Sequence, residues 1–120
     1  MSATTGLDYL SLQVSNLARA RDFYCRVLGI TAAPSSPPGV QVLRTRPVPM
    51  ALRADLPPRT GTAGLGVALW LDCEDVDALH ERVMQHGGQV ELAPTDGPFG
   101  RMFTVADPDG YRLTLHRMKR

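Results

Sequence analysis

Only one of the thirteen basic residues in this 120-residue chain is a lysine, Lys119. The rest are scattered arginines, and twelve acidic residues reduce the formal charge to +1. No basic block exists, so the electrostatic footprint of a nucleic-acid binder is absent. Cysteine is equally scarce. Cys25 and Cys73 lie far apart with no Cys-x-x-Cys spacing, which argues against a disulfide framework or a structural zinc site. Both sit among apolar neighbours and read as small core residues. There are three histidines and one tryptophan, and aromatic residues make up 6% of the chain. No apolar run approaches the ~20 residues that a membrane-spanning helix needs. Residues 1–6 are polar and carry no signal-peptide core, so the expected address is the cytoplasm, with no membrane partner.

What is present suits a globule. Hydrophobic residues reach 43% and charged residues 21%, enough for one core of ordinary size. The expectation is a single domain over residues 1–120. Leu10, Leu12 and Val14 alternate with Tyr9, Ser11 and Gln13, the period-2 pattern of a half-buried strand. Ser15 or Asn16 is placed to cap a helix that carries Leu17, Ala20, Phe23 or Tyr24, and Val27 or Leu28 at helical spacing. Gly29 stops that helix. Residues 33–39 are too rich in Pro, Ser and Gly for regular structure. Val40–Thr45 and Met50–Ala54 read as strands, with Pro47 and Pro49 crowding the turn between them.

After a Pro-, Gly- and Thr-rich linker at 55–64, the order starts again. Gly66–Leu71 reads as a strand with Val67, Leu69 and Leu71 on one face. Asp75 caps a helix bearing Val76, Leu79 and Val83, which ends at Gly87-Gly88. Gln89–Leu92 reads as a short strand and Ala93–Gly100 as a loop. Arg101–Ala106 and Tyr111–His116 close the pattern, joined by a type I turn at Asp107-Pro108-Asp109-Gly110. The helix-ending glycines Gly29 and Gly87 are 58 positions apart. The chain is thus an internal repeat of order with little identity of residues. Module one covers about 7–54 and module two about 65–117. Neither half alone buries a sheet well, so partnership of halves is expected.

The repeat resembles the vicinal oxygen chelate superfamily, whose members include glyoxalases, bleomycin-resistance proteins and dioxygenases. Three segments carry the resemblance. The first is Leu12-Gln13-Val14-Ser15-Asn16-Leu17 with Phe23-Tyr24 and Val27-Leu28-Gly29. The second is Cys73-Glu74-Asp75-Val76-Asp77-Ala78. The third is Phe103-Thr104-Val105-Ala106-Asp107-Pro108-Asp109-Gly110-Tyr111. The resemblance covers nearly the whole chain. It implies an α+β fold in which paired βαβββ modules form a curved mixed sheet, a cup with helices outside and a ligand inside. It also implies, for many members, a divalent-metal position built from His and Glu on the inner faces of strands. Here those positions fall on Tyr9, Ala51, Ala68 and Thr114. Alanine ligates nothing, and neutral Tyr or Thr oxygens are poor ligands for a divalent ion. No metal, no cofactor and no catalytic residue are therefore expected. His80 and His86 belong to the second helix or its end and are read as solvent-facing.

On the same alternation, the cup is lined by Tyr9, Ser11 and Gln13, by Arg53, by Trp70 and Asp72, by Met102 and Thr104, and by Arg112, Thr114 and His116. Trp70 and Tyr9 offer stacking surfaces; Gln13, Asp72 and Arg112 offer orientation. Arg53 and Arg112 have a second reading, as rim residues paired with acids. Phe99 is read either as closing the cup or as packing its own turn. The expected partner is a small, partly aromatic organic molecule, an antibiotic being one class, held by a homodimer without metal. This resembles the drug-sequestering members and leans away from an enzyme. The alternatives are a lyase, isomerase or oxygenase with a non-standard or metal-free site, and an accessory protein of a biosynthetic pathway.

Overall fold

A computed structural model describes residues 2–117. The chain forms two compact units, the first ending at Arg59 and the second beginning at Thr60. In the first, β1 (Leu10–Gln13) leads into α1 (Leu17–Arg21), and β2 (Val40–Leu43) and β3 (Met50–Arg53) follow. The strands lie in the order β1-β3-β2, with β1 parallel and β2 antiparallel to β3. Asn16 caps α1, its side-chain oxygen accepting from the Arg19 amide at 3.0 Å, which satisfies a donor with no partner inside the helix. From Asp22 to Val27 the helix widens into π geometry, and the Leu28 amide donates to the Phe23 carbonyl five residues back. The wider turn allows Phe23 and Tyr24, adjacent in sequence, both to be buried. Their rings meet edge to face at 5.3 Å. Leu12, Leu43, Met50 and Leu52 of the sheet are buried as well.

The second unit contains β4 (Leu69–Asp72), α2 (Val76–Gln85), β5 (Gln89–Gly97), β6 (Gly100–Ala106) and β7 (Arg112–Arg117). The sheet order is β4-β7-β6-β5, with β4 parallel to β7 and the other pairs antiparallel. Val76, Leu79 and Val83 of α2 are buried together with Phe103, Val105, Leu113 and Leu115 of the sheet. Burial of each large aliphatic or aromatic side chain is worth roughly 1.5–3 kcal/mol. Asp75 caps α2 through the Ala78 amide at 3.0 Å. The β6–β7 turn is tied by Asp107, whose buried carboxylate accepts from the amides of Asp109 and Tyr111, each at 2.9 Å.

Three features differ from the sequence reading. The strand expected at Gly66–Leu71 starts at Leu69 and runs to Asp72. Gly64 accepts from the Val67 amide in a turn, and Val67 is 61% exposed, so the apolar alternation begins one step later. The expected loop Ala93–Gly100 is mostly strand, because β5 continues to Gly97. Pro94 is tolerated because β5 is an edge strand and its register shifts between Leu92 and Thr95. Finally, His80 is not simply solvent-facing: it is half-buried with its ring 5.4 Å from buried Phe103. His86, at the end of α2, is exposed.

Cys25 and Cys73 are free and half-buried. Burial raises both thiols above their ordinary range, Cys73 to about 11 with help from the nearby Asp72 and Asp75 carboxylates. Both are therefore protonated and poorly nucleophilic at neutral pH. Among the described residues, no helix is long and apolar enough to cross a membrane.

Two expectations test this packing. Gly87 ends α2 at φ +72° with open space around it, whereas a Cβ on Gly88 would lie 2.5 Å from Val83 Cγ1 and 3.1 Å from its carbonyl oxygen. Gly87→Ala should cost about 1 kcal/mol through backbone strain alone. Gly88→Ala should cost about 1–3 kcal/mol, because buried Val83 must move. Urea unfolding of both variants measures the difference, and equal costs would contradict the packing. Arg101 bridges Asp77 of α2 at 2.8 Å and Asp96 of β5 at 3.3 Å. Its hydrogen bond holds the Asp77 carboxyl below the ordinary value of 3.8. The stabilisation is therefore present above about pH 4 and is lost as pH falls through the lower folded-state value. Arg101→Met should lower the melting temperature slightly near neutral pH, with the difference vanishing in acid and shrinking in high salt.

Candidate functional site

The pairing register decides which side chains share a face of the second sheet. Leu69 lies opposite Leu113 and Leu71 opposite Leu115, so these leucines turn together toward α2. The intervening residues turn the other way. Two cross-strand rows result on the face away from α2. One runs Leu92, Thr104, Thr114, Trp70; the next runs Thr95, Met102, His116, Asp72. The sequence-expected residues Trp70, Asp72, Met102, Thr104, Thr114 and His116 therefore share this face. Arg112, two positions before Thr114, belongs to it as well.

The geometry within these rows is specific. Trp70 is 43% exposed. Its ring meets the His116 ring at 5.1 Å and 90° and the Phe99 ring at 6.0 Å and 84°. Such edge-to-face contacts hold an aromatic ring in one orientation while leaving part of its surface open. His116 Nδ1 donates to the Phe99 carbonyl oxygen at 3.1 Å. The β5–β6 hairpin tip thus fixes the imidazole that in turn supports Trp70. Thr104 and Thr114 share a hydroxyl–hydroxyl hydrogen bond of 3.0 Å. Arg112 is engaged in an ion pair with Glu91, as its rim reading anticipated.

Phe99 was not among the expected lining residues, although its alternative readings included closing the cup. Leu92 and Thr95 were missed altogether. The register shift in β5 hides their side of the sheet, because strict alternation fails across it. The flanking Gly97-Pro98 and Gly100 were the available signal that Phe99 occupies a tight hairpin tip. A groove of about 760 Å³ opens beside that tip, lined by Glu74–Asp77, Asp96–Arg101 and Arg117. Phe99 is the one member of the aromatic group that borders it.

In the first unit, Ser11 and Gln13 of β1 lie in register with Ala51 and Arg53 of β3. Tyr9 precedes β1 and is 48% exposed. Gln13 Nε2 donates to the Pro57 carbonyl at 2.7 Å. Arg53 is bidentate on Asp55, at 2.8 and 3.0 Å, and that hydrogen bonding holds the Asp55 carboxyl below its ordinary range. Arg53 is therefore committed within its own unit.

The four positions at which the fold would supply metal ligands do not fit a divalent ion. Ala51 is fully buried and Ala68 precedes β4, and neither carries a donor atom. Tyr9 offers a neutral phenol, and the Thr114 hydroxyl is already bonded to Thr104. Among the described residues, no three His, Cys, Asp or Glu side chains converge as a metal site.

Comparison with known proteins agrees with this architecture. Residues 6–115 match the sequence model of the Glyoxalase/Bleomycin resistance protein/Dioxygenase superfamily. The chain is 34% identical over 121 residues to the anthracycline biosynthesis protein DnrV of Streptomyces peucetius, covering 94% of this chain and 42% of DnrV. It thus spans less than half the length of that relative. Among solved structures, it is similar to TnmS3, an antibiotic binding protein from Streptomyces sp. CB03234. That likeness has a TM-score of 0.77 and 25% identity, over 99% of this chain and 100% of TnmS3. A glyoxalase/bleomycin resistance protein from the same strain gives a TM-score of 0.74 and 26% identity, over 93% of this chain and 100% of that one. With the sequence match spanning nearly all of both units and the strand order as described, the chain belongs to the Glyoxalase/Bleomycin resistance protein/Dioxygenase superfamily.

Proposed function

We propose that the protein binds a small, partly aromatic organic molecule on the open face of the second sheet and releases it chemically unchanged, without a metal. The observation that carries this reading is Trp70, a partly exposed indole braced by His116 and Phe99 beside a threonine pair. A rigid aromatic surface next to a few fixed polar groups is the usual make-up of a small-molecule site. It stacks a planar ligand at little entropic cost, since the indole is already held.

Turnover fits less well. The metal-ligand positions hold no imidazole or carboxylate, and the one imidazole on this face has its Nδ1 tied to a backbone carbonyl. The likeness to TnmS3, described as an antibiotic binding protein, supports binding as the activity. The identity with DnrV, described as an anthracycline biosynthesis protein, favours a second form of the same reading, in which the bound molecule is a pathway intermediate and the protein an accessory to its biosynthesis.

Calorimetric titration with a panel of aromatic antibiotics and their polycyclic precursors tests the reading. Saturable binding is expected, with the compound recovered at unchanged mass. Trp70→Ala should weaken it by about tenfold or more, with circular dichroism confirming that the variant is folded. No binding across the panel, conversion of a bound compound, or an unaffected affinity in Trp70→Ala would contradict the proposal.

A further inference from the structure

We infer that His116 is a specificity-determining residue, selecting an uncharged planar aromatic ligand that presents a hydroxyl group to its Nε2 and a carbonyl oxygen to the Thr104–Thr114 pair. This rests on the preceding reading of the second sheet's open face as the binding surface. The Phe99 carbonyl oxygen, 3.1 Å from His116 Nδ1, has no proton to give. The contact is a hydrogen bond only if Nδ1 carries the hydrogen. In the neutral ring that leaves Nε2 with a lone pair, so it acts as an acceptor. A ring flip would put a carbon where Nδ1 stands and break this bond. The hairpin tip thus sets the tautomer, and the tautomer sets which partner is accepted.

The neighbouring row supplies the complementary group. Thr104 Oγ1 and Thr114 Oγ1 lie 3.0 Å apart. One hydroxyl proton is used between them, and the other remains to donate outward. Thr114 and His116 are two residues apart on one strand, so the positions that carry the hydroxyl and the imidazole are spaced roughly 7 Å along it. A fused-ring ligand lying along Trp70 spans that distance with one hydroxyl and one carbonyl.

Charge narrows the class further. Among the described residues, the charged groups on this face or paired to it are Arg112, Glu91 and Asp72. Arg112 and Glu91 neutralise each other, and Asp72, the strand partner of His116, also interacts within the protein. An ionised ligand would lose hydration here against groups already committed to internal partners.

Three probes separate these points by calorimetry near neutral pH: 2-hydroxy-9-fluorenone, 2-methoxy-9-fluorenone and 9-fluorenone-2-carboxylate. The protein should bind the hydroxy compound about fivefold or more tightly than the methoxy compound, and the carboxylate weakest. His116→Phe keeps a ring against Trp70 but removes the acceptor. It should retain methoxy binding, which also reports that it is folded, and lose the hydroxyl preference. Equal affinity for the two neutral probes, an intact preference in His116→Phe, or tightest binding of the carboxylate would overturn the inference and leave the binding reading standing. Failure of all three probes, with binding retained in the antibiotic panel, also overturns it. Failure of both panels removes the binding reading as well.

Discussion

The parallel pairing of β4 with β7 is the constraint on which the second unit depends. With Leu69 opposite Leu113 and Leu71 opposite Leu115, one face of the sheet is committed to α2. That commitment places Trp70, Thr114 and His116 on the other face. A slip of one residue would turn the leucines outward and the indole into the helix interface, so the register is fixed by burial rather than by the site. The site residues are carried passively by a packing solution whose driving force lies on the opposite side of the sheet.

Around that register, each polar element of the face is held by something that is not a ligand. The hairpin tip holds His116, His116 and Phe99 brace Trp70, and Glu91 engages Arg112. Such arrangements would reduce the ordering cost of binding on this face, because its side chains are already placed. They also give the face a definite chemical pattern of one aromatic surface, one imidazole and one hydroxyl pair. The first unit behaves differently. Its polar residues Gln13 and Arg53 are spent on Pro57 and Asp55, which secures the segment after β3 and leaves less for a ligand to meet.

Much of this was legible in the sequence. Period-2 alternation in Leu10–Val14 and Gly66–Leu71, caps at Ser15 or Asn16 and at Asp75, and the glycine stops after both helices located most elements. The same alternation grouped Trp70, Asp72, Met102, Thr104, Thr114 and His116 on one face before any coordinates. Three things were hidden for physical reasons. The shifted register of β5 breaks alternation, so Leu92 and Thr95 were not assigned to the face. The π geometry at Asp22–Val27, where Phe23 and Tyr24 are both buried, has no counterpart in a regular helical period. Whether an arginine meets a ligand or a carboxylate depends on partners such as Asp55 and Glu91, which spacing alone does not choose between.

The central claim is that the open face of the second sheet is the ligand surface. The most direct measurement is an NMR titration of isotope-labelled protein with the tightest-binding aromatic compound. The account predicts shifts concentrated on the Trp70 indole and on the amides of Phe99, Thr104, Thr114 and His116, with α2 little changed. Shifts centred on α2, on the groove beside Glu74–Asp77, or on residues 17–28 would contradict it.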